Sequence, residues 1–481
     1  MISQTLFFLG LFLLGLAVCL AFGSRTRPHL AAALAFTTGL AVMVGLEIAL
    51  LVARVHFGRA SGSLAAGLVV GGCAVRVWRA GGLDARVVRV LALWTLGFTA
   101  ATALLTSGNY AVTSFDSHFL VMLGGILGKD GAFVPGLLER MGLYGAFQAL
   151  AQGLVGFTDR SFLYGLPPVF AGSTLVSFAV LLDAALAALH VPRTRARLAV
   201  VALTTLATFT GYMLFRHTFY LHTNMGAASY LFTFCALTWL ARVEGDLSWV
   251  PVAFVALFGL ALSRIEAPLV AGLFLTLTVI PGQLPARRVL PAFAGYALAT
   301  AGWYAVLGRA VPVKSMFLTP VRCYLFAAFT LGLFGYYALS SWSRATLLRR
   351  LNRFAPVIVG AGVALALVGA FALRTEHMVK AADAWGTTLF FTPYWEGPWL
   401  AIVALAVVSL WVRRAPAREA FVIGVPAYLG VILLLVLGRH PYHTGIGDSA
   451  ARMAIHLVPL CFFYFAVKLT PVVLPPAEVA S

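Results

Sequence analysis

Charge is scarce in this chain, and negative charge is scarcest. Only 16 of its 481 residues are Asp or Glu, against 34 Lys and Arg, and ten per cent are charged in all. A water-soluble protein of this length needs far more polar surface to cover its core. Cysteine is sparse as well. Cys19, Cys73, Cys235, Cys323 and Cys461 all sit inside apolar runs without CxxC spacing, which excludes a disulfide framework or a zinc ribbon and reads them as small buried residues. The sequence has no internal repeat, no low-complexity tract and no polar stretch long enough for a soluble domain. What it does have is apolar: 61% of residues are hydrophobic, and the mean hydropathy is +0.94. A bilayer must solvate most of this surface. The net charge of +18 suits loops that face anionic lipid, and no basic block with interleaved aromatics points to a nucleic-acid partner.

Fifteen apolar runs lie near residues 5–22, 30–53, 62–78, 90–107, 166–189, 198–215, 224–241, 249–263, 267–281, 290–308, 320–340, 355–373, 398–412, 419–437 and 454–470. They are continuous rather than alternating, so the spans are helices and not the strands of a membrane barrel. The predicted fold is an all-α polytopic transmembrane bundle of about 13–15 spans, one domain over residues 1–481. The first run has no basic region ahead of it and carries Arg25 and Arg27 behind it. That is the pattern of a retained first span with its N-terminus outside.

Twenty of the 34 Lys and Arg fall in one alternate set of loops, which is short and almost purely basic. That set is predicted to be cytoplasmic. The opposite loops mix acids, His, Asn, Tyr and Trp with their cations, and two are long, 106–165 and 374–397. Long loops of mixed chemistry carry function, so the working face is expected on the extracytoplasmic side.

The first long loop contains Asp116 and His118, with apolar residues at helical spacing over 119–127 and 141–157. These segments read as amphipathic helices lying in the interface. Asp116 is either a helix N-cap or an acid held at the membrane surface. In the last outer loop, which also holds His443, the residues Asp448, Arg452 and His456 are spaced four apart and share a helix face. Arg452 beside His456 suits a phosphate clamp; an Asp448–Arg452 pair, with His456 bonded to another helix, is the structural alternative. Arg264 and Glu266 interrupt residues 249–281, which are barely long enough for two spans. A short hairpin there leaves both recessed, as a turn-stabilising pair or the lining of a polar cavity.

A tight outer turn gathers Arg216, His217, Tyr220, His222 and Asn224, without an HExxH or comparable ligand pattern. The second long loop sets Glu396 among Tyr394, Trp395 and Trp399. Aromatics beside a carboxylate stack on sugar rings, yet Trp395 and Trp399 also fit interfacial anchors. Glu47 and Asp183, both within apolar runs, are expected to close polar contacts between helices.

The stretch Phe115-Asp116-Ser117-His118, the two amphipathic segments after it and the late Asp448-Ser-Ala-Ala-Arg452…His456 together resemble the GT-C superfamily of membrane glycosyltransferases. The resemblance implies a polyprenyl-phosphate-linked sugar donor and a glycan, lipid or protein acceptor. It also implies an active site on the periplasmic side of a bacterial inner membrane. By that analogy Asp116 is the general base for the acceptor hydroxyl. Arg452 and His456, helped by Arg264 or Lys314, would meet the lipid phosphate. A divalent cation is compatible with the family, and no residue here is assigned to one. The chain differs in having Ser117 where a second acid is common, and in placing three extra spans before the loop. A transporter or lipid flippase predicts inverted repeats, which are not evident. An O-antigen-ligase- or polymerase-like enzyme predicts its largest loop late rather than early.

Overall fold

The computed structural model describes residues 2–56, 58–108, 125–126, 165–219, 223–282, 284–311, 318–342, 346–392, 395, 397–412, 419–436 and 452–474. Every regular element among them is helical. The order is α1 (Ile2–Phe22), α2 (Pro28–Val52), α3 (Arg59–Arg79), α4 (Ala85–Leu105), α5 (Leu166–Ala188), α6 (Arg195–Phe209), α7 (Tyr212–Phe219), α8 (Asn224–Glu244) and α9 (Val250–Ser263). There follow α10 (Ala267–Thr278), α11 (Ala286–Ala310), α12 (Pro320–Trp342), α13 (Thr346–Leu373), α14 (Thr375–Phe391), α15 (Pro398–Ser409), α16 (Glu419–Val422), α17 (Gly424–Val436) and α18 (Val458–Val473).

Among the described residues ten helices are long and apolar enough to cross a bilayer. The pair α6 and α7, bent by 76°, makes an eleventh, and four apolar helices are shorter. The chain is thus an all-α, multi-pass integral membrane protein. The two interfacial helices expected over 119–127 and 141–157 lie almost wholly outside the described residues. The second long loop holds something the sequence reading left out: α14 is itself amphipathic, burying Met378, Ala381, Trp385 and Leu389 on one face.

Burial separates the helices into two kinds. The span Asn224–Glu244 is 89% buried, whereas Arg59–Arg79 and Arg350–Leu373 are each 11% buried. Helix α8 is therefore the axis of the bundle, and α3 and α13 turn their flanks to lipid. In a bilayer the hydrophobic effect does not drive helices together, so close packing and interhelical hydrogen bonds must. Both are present around α2. A Cβ on Gly15 would stand 1.8 Å from the Ala35 carbonyl oxygen, and one on Gly39 would stand 1.8 Å from that of Leu11. Backbones of α1 and α2 touch there, and only glycine fits. Tyr230 of α8 donates to the Thr37 carbonyl at 2.8 Å, and Ser177 of α5 donates to the Ala33 carbonyl at 2.7 Å.

At the end of the bundle where α1 finishes and α2 begins, arginines close the helix termini. Arg76 Nε donates to the Ala21 carbonyl at 2.6 Å. Arg25 Nη1 reaches the Ala80 and Gly82 carbonyls past the end of α3. Arg27 pairs with Glu244 at 2.7 Å. Arg197, buried at the start of α6, holds the Asp183 carboxylate at 2.7 Å and the Val191 carbonyl at 2.7 Å. Cations placed on C-terminal carbonyls satisfy orphan acceptors and oppose the negative end of the helix dipole. All four belong to the more basic loop set or its flanking turns. Asp183 closes an interhelical contact as expected. Glu47 does not: it is 1% exposed in α2, and neither carboxylate oxygen has a hydrogen-bond partner among the described residues.

Candidate functional site

The opposite end of the bundle is built around a break. Helix α9 stops at Ser263 because Arg264 is extended, with φ −142° and ψ 142°. The chain turns helical again at Ala267, with proline in its first turn. At about 1.5 Å per residue neither α9 nor α10 crosses a core of roughly 30 Å. The turn therefore stands within the bundle, and the Arg264 and Glu266 side chains are each 17% exposed. The recessed pair expected from the sequence is present.

Arg264 is held on three sides. Its Nη2 and Nε lie 2.7 and 2.8 Å from Glu266 Oε1, and its Nη1 donates to Asn224 Oδ1 at 3.1 Å. Tyr304 of α11 donates its hydroxyl to the carbonyls of Ile265, at 2.8 Å, and Arg264, at 3.2 Å. These bonds fix the direction in which the guanidinium faces.

Asn224, the first residue of α8 and fully buried, is the hub. His217 Nδ1 lies 2.8 Å from the Met213 carbonyl, which only accepts, so that nitrogen carries the proton. His217 Nε2 must then accept, and Asn224 Nδ2 faces it at 3.4 Å. The other face of the amide, Oδ1, accepts from Arg264 and from His456 Nε2, the latter at 3.4 Å. His456 Nδ1 in turn accepts from the Tyr428 hydroxyl at 2.6 Å. Each imidazole carries one proton in this arrangement, and donors and acceptors alternate without a clash from α17 to α7. The two contacts at 3.4 Å are long, and the two at 2.6 and 2.8 Å anchor the ends of the chain.

Two further cations stand beside this network. The charges of Arg216 and Arg452 both act on the His217 ring, and both side chains are partly exposed. Arg452 lies one turn ahead of His456, which begins the last apolar span through a short 3-10 turn, Ala454–Leu457. The structure thus brings together Arg216, Arg264, Glu266, Arg452 and His456 from the sequence-derived set. Asp116, His118, His222, Lys314, Glu396, His443 and Asp448 lie outside the described residues. For His456 the sequence left open a phosphate clamp with Arg452 or a bond to another helix, and the structure shows bonds to Tyr428 and Asn224. Both its ring nitrogens are engaged and the residue is 2% exposed, so it supports Arg264 through Asn224 from behind.

The sequence reading missed the central role of Asn224 and the whole of Tyr428 and Tyr304. An amide in the first turn of an otherwise apolar span was the available signal, since such a group is costly unless paired. Trp395 and Trp399 also differ from expectation. They are 1% and 3% exposed and meet edge to face at 6.1 Å, as packing residues rather than members of an exposed belt. Among the described residues no three His, Cys, Asp or Glu gather as a metal site.

Fold and site define a polytopic helical membrane protein with an oriented, cation-rich polar network recessed at one end. No protein-family model, curated protein or solved structure matches the chain.

Proposed function

We propose that this chain is a membrane glycosyltransferase. It takes a sugar from a polyprenyl-phosphate-linked donor and delivers it to an acceptor hydroxyl at the periplasmic face of a bacterial inner membrane. The observation that carries the reading is the Arg264 guanidinium, held in one orientation by Glu266 and Asn224 at the break between α9 and α10, with Arg216 and Arg452 close by. In the proposed step the acceptor oxygen bonds to the anomeric carbon as the bond from that carbon to the phosphate oxygen breaks. The acceptor proton passes to the Asp116 carboxylate, and the electron pair leaves with the lipid phosphate. Charge therefore grows on that phosphate in the transition state, where preoriented cations count most. Asp116 enters through its place in the first long outer loop and the family resemblance.

The test is transfer of labelled sugar from a polyprenyl-phosphate donor by the purified protein in liposomes. Asp116→Asn and Arg264→Gln are each expected to lower turnover by about a hundredfold or more. Wild-type turnover in Asp116→Asn removes the base, and wild-type turnover in Arg264→Gln removes the phosphate site. One observation favours a second reading, a transporter or flippase: the buried, unpartnered Glu47 carboxylate in α2. Movement of labelled lipid across the same liposomes, lost in Glu47→Gln, would select it.

A further inference from the structure

A cleft of about 520 Å³ opens at the other end of the bundle, between the end of α1 and the last two turns of α3. It is a shallow groove, open along much of its length, rather than an enclosed pocket. Phe22, Gly72 and Val75 form an apolar wall, and Arg76, Arg79 and Ala80 form the mouth. Among the described residues no carboxylate lines it. Arg76 and Arg79 are three residues apart on one helix face, where like charges repel unless an anion joins them. The nearby acids are committed elsewhere: Glu244 to Arg27, and Asp84 to the Val87 amide that begins α4.

The Arg76 side chain is already positioned. Its Nε is fixed on the Ala21 carbonyl and its guanidinium lies 4.6 Å from the centre of the Phe22 ring. That leaves the Nη edge for a fork of hydrogen bonds to a phosphate. The flank of α3 faces lipid, as its low burial shows. Trp78, 75% exposed in the same turn, marks the level of the headgroups. Gly72 borders the open part of the groove, where an added Cβ would meet nothing within 4 Å.

We propose that this cleft binds one anionic phospholipid. Its phosphate is bridged by Arg76 and Arg79, and its glycerol and first acyl carbons lie over Gly72 and Val75. The site is independent of the glycosyltransferase reading. It gives the lipid-facing flank of α3 a fixed lipid neighbour beside its contact with α1.

Native mass spectrometry of the full chain, released from mixed micelles of phosphatidylglycerol and phosphatidylcholine, tests the proposal. The wild-type protein should retain one phosphatidylglycerol at least fivefold over phosphatidylcholine. Arg79→Gln, which removes charge, and Gly72→Leu, which fills the cleft without touching charge, should each bring that ratio close to one. Gly67→Leu lies in equally open space on α3 but about 7.5 Å further along the helix, and should keep the wild-type ratio. Melting temperatures in phosphatidylcholine alone should be no lower in the three variants than in the wild type. Equal retention of the two lipids by wild type overturns the proposal. So does an unchanged ratio in both Arg79→Gln and Gly72→Leu, or an equal loss in Gly67→Leu. Displacement of the lipid by millimolar inorganic phosphate would assign the site to free phosphate and overturn it too.

Discussion

Arginine does different work at the two ends of this bundle. At one end Arg25 and Arg76 bond to the carbonyls that finish neighbouring helices, and Arg197 clasps one turn of α5 and its carboxylate. Each bond there closes a helix end, and most of the acceptors are backbone. At the other end Arg264 bonds to side chains, Glu266 and Asn224, and Asn224 ties it to His456 and His217. A backbone acceptor is present whatever the sequence, so arginines of the first kind can be exchanged one by one. A side-chain acceptor must itself be held, so arginines of the second kind belong to a network that fails together. The same residue type thus marks architecture at one end and an oriented charge at the other.

Three substitutions would sharpen or break that contrast. The largest effect is expected for Asn224→Leu. It leaves Arg264, His217 and His456 each short of a partner, at about 4 kcal/mol in sum, near the upper range for one substitution. Thermal unfolding in detergent should show the largest drop of the three, with sugar transfer lost even below the melting transition. Arg197→Met keeps the bulk of the side chain but breaks the pair with Asp183 and the bond to Val191. A third of the Asp183 side chain is exposed, so the cost is about 2 kcal/mol. Melting should fall while transfer per folded molecule stays at the wild-type rate; a loss of turnover would dissolve the distinction between the ends. Arg25→Gln removes hydrogen bonds to exposed carbonyls that water can replace. A shift of about 1 kcal/mol or less is expected in a chemical denaturation series.

The membrane class and the positions of the apolar helices were legible because hydropathy is a property of consecutive residues. The break at Arg264 was legible for the same reason: two charges and Pro268 interrupt a run too long for one span and too short for two. Asn224, His456 and Tyr428 were not, because their meeting depends on which helices become neighbours. Trp395 and Trp399 sit at the start of a span, as interfacial anchors do. Whether such a ring faces lipid or protein is set by the rotation of the helix about its axis, and composition does not encode that. Glu47 was expected to meet a polar partner on another helix. Its position in α2 was readable, and the apolar surroundings that leave it alone were not.

The hydrogen-bonded chain through Asn224 also sets an order in time. His456 lies 232 residues beyond Asn224, so during synthesis the amide, His217 and Arg264 enter the membrane long before their last partner exists. Domains assemble from the N-terminus as the chain emerges, and this polar centre has to wait, solvated or loosely paired, until the span that carries His456 arrives. Helix α18 therefore closes this polar network, and the site at its start forms only once that helix has packed against α8.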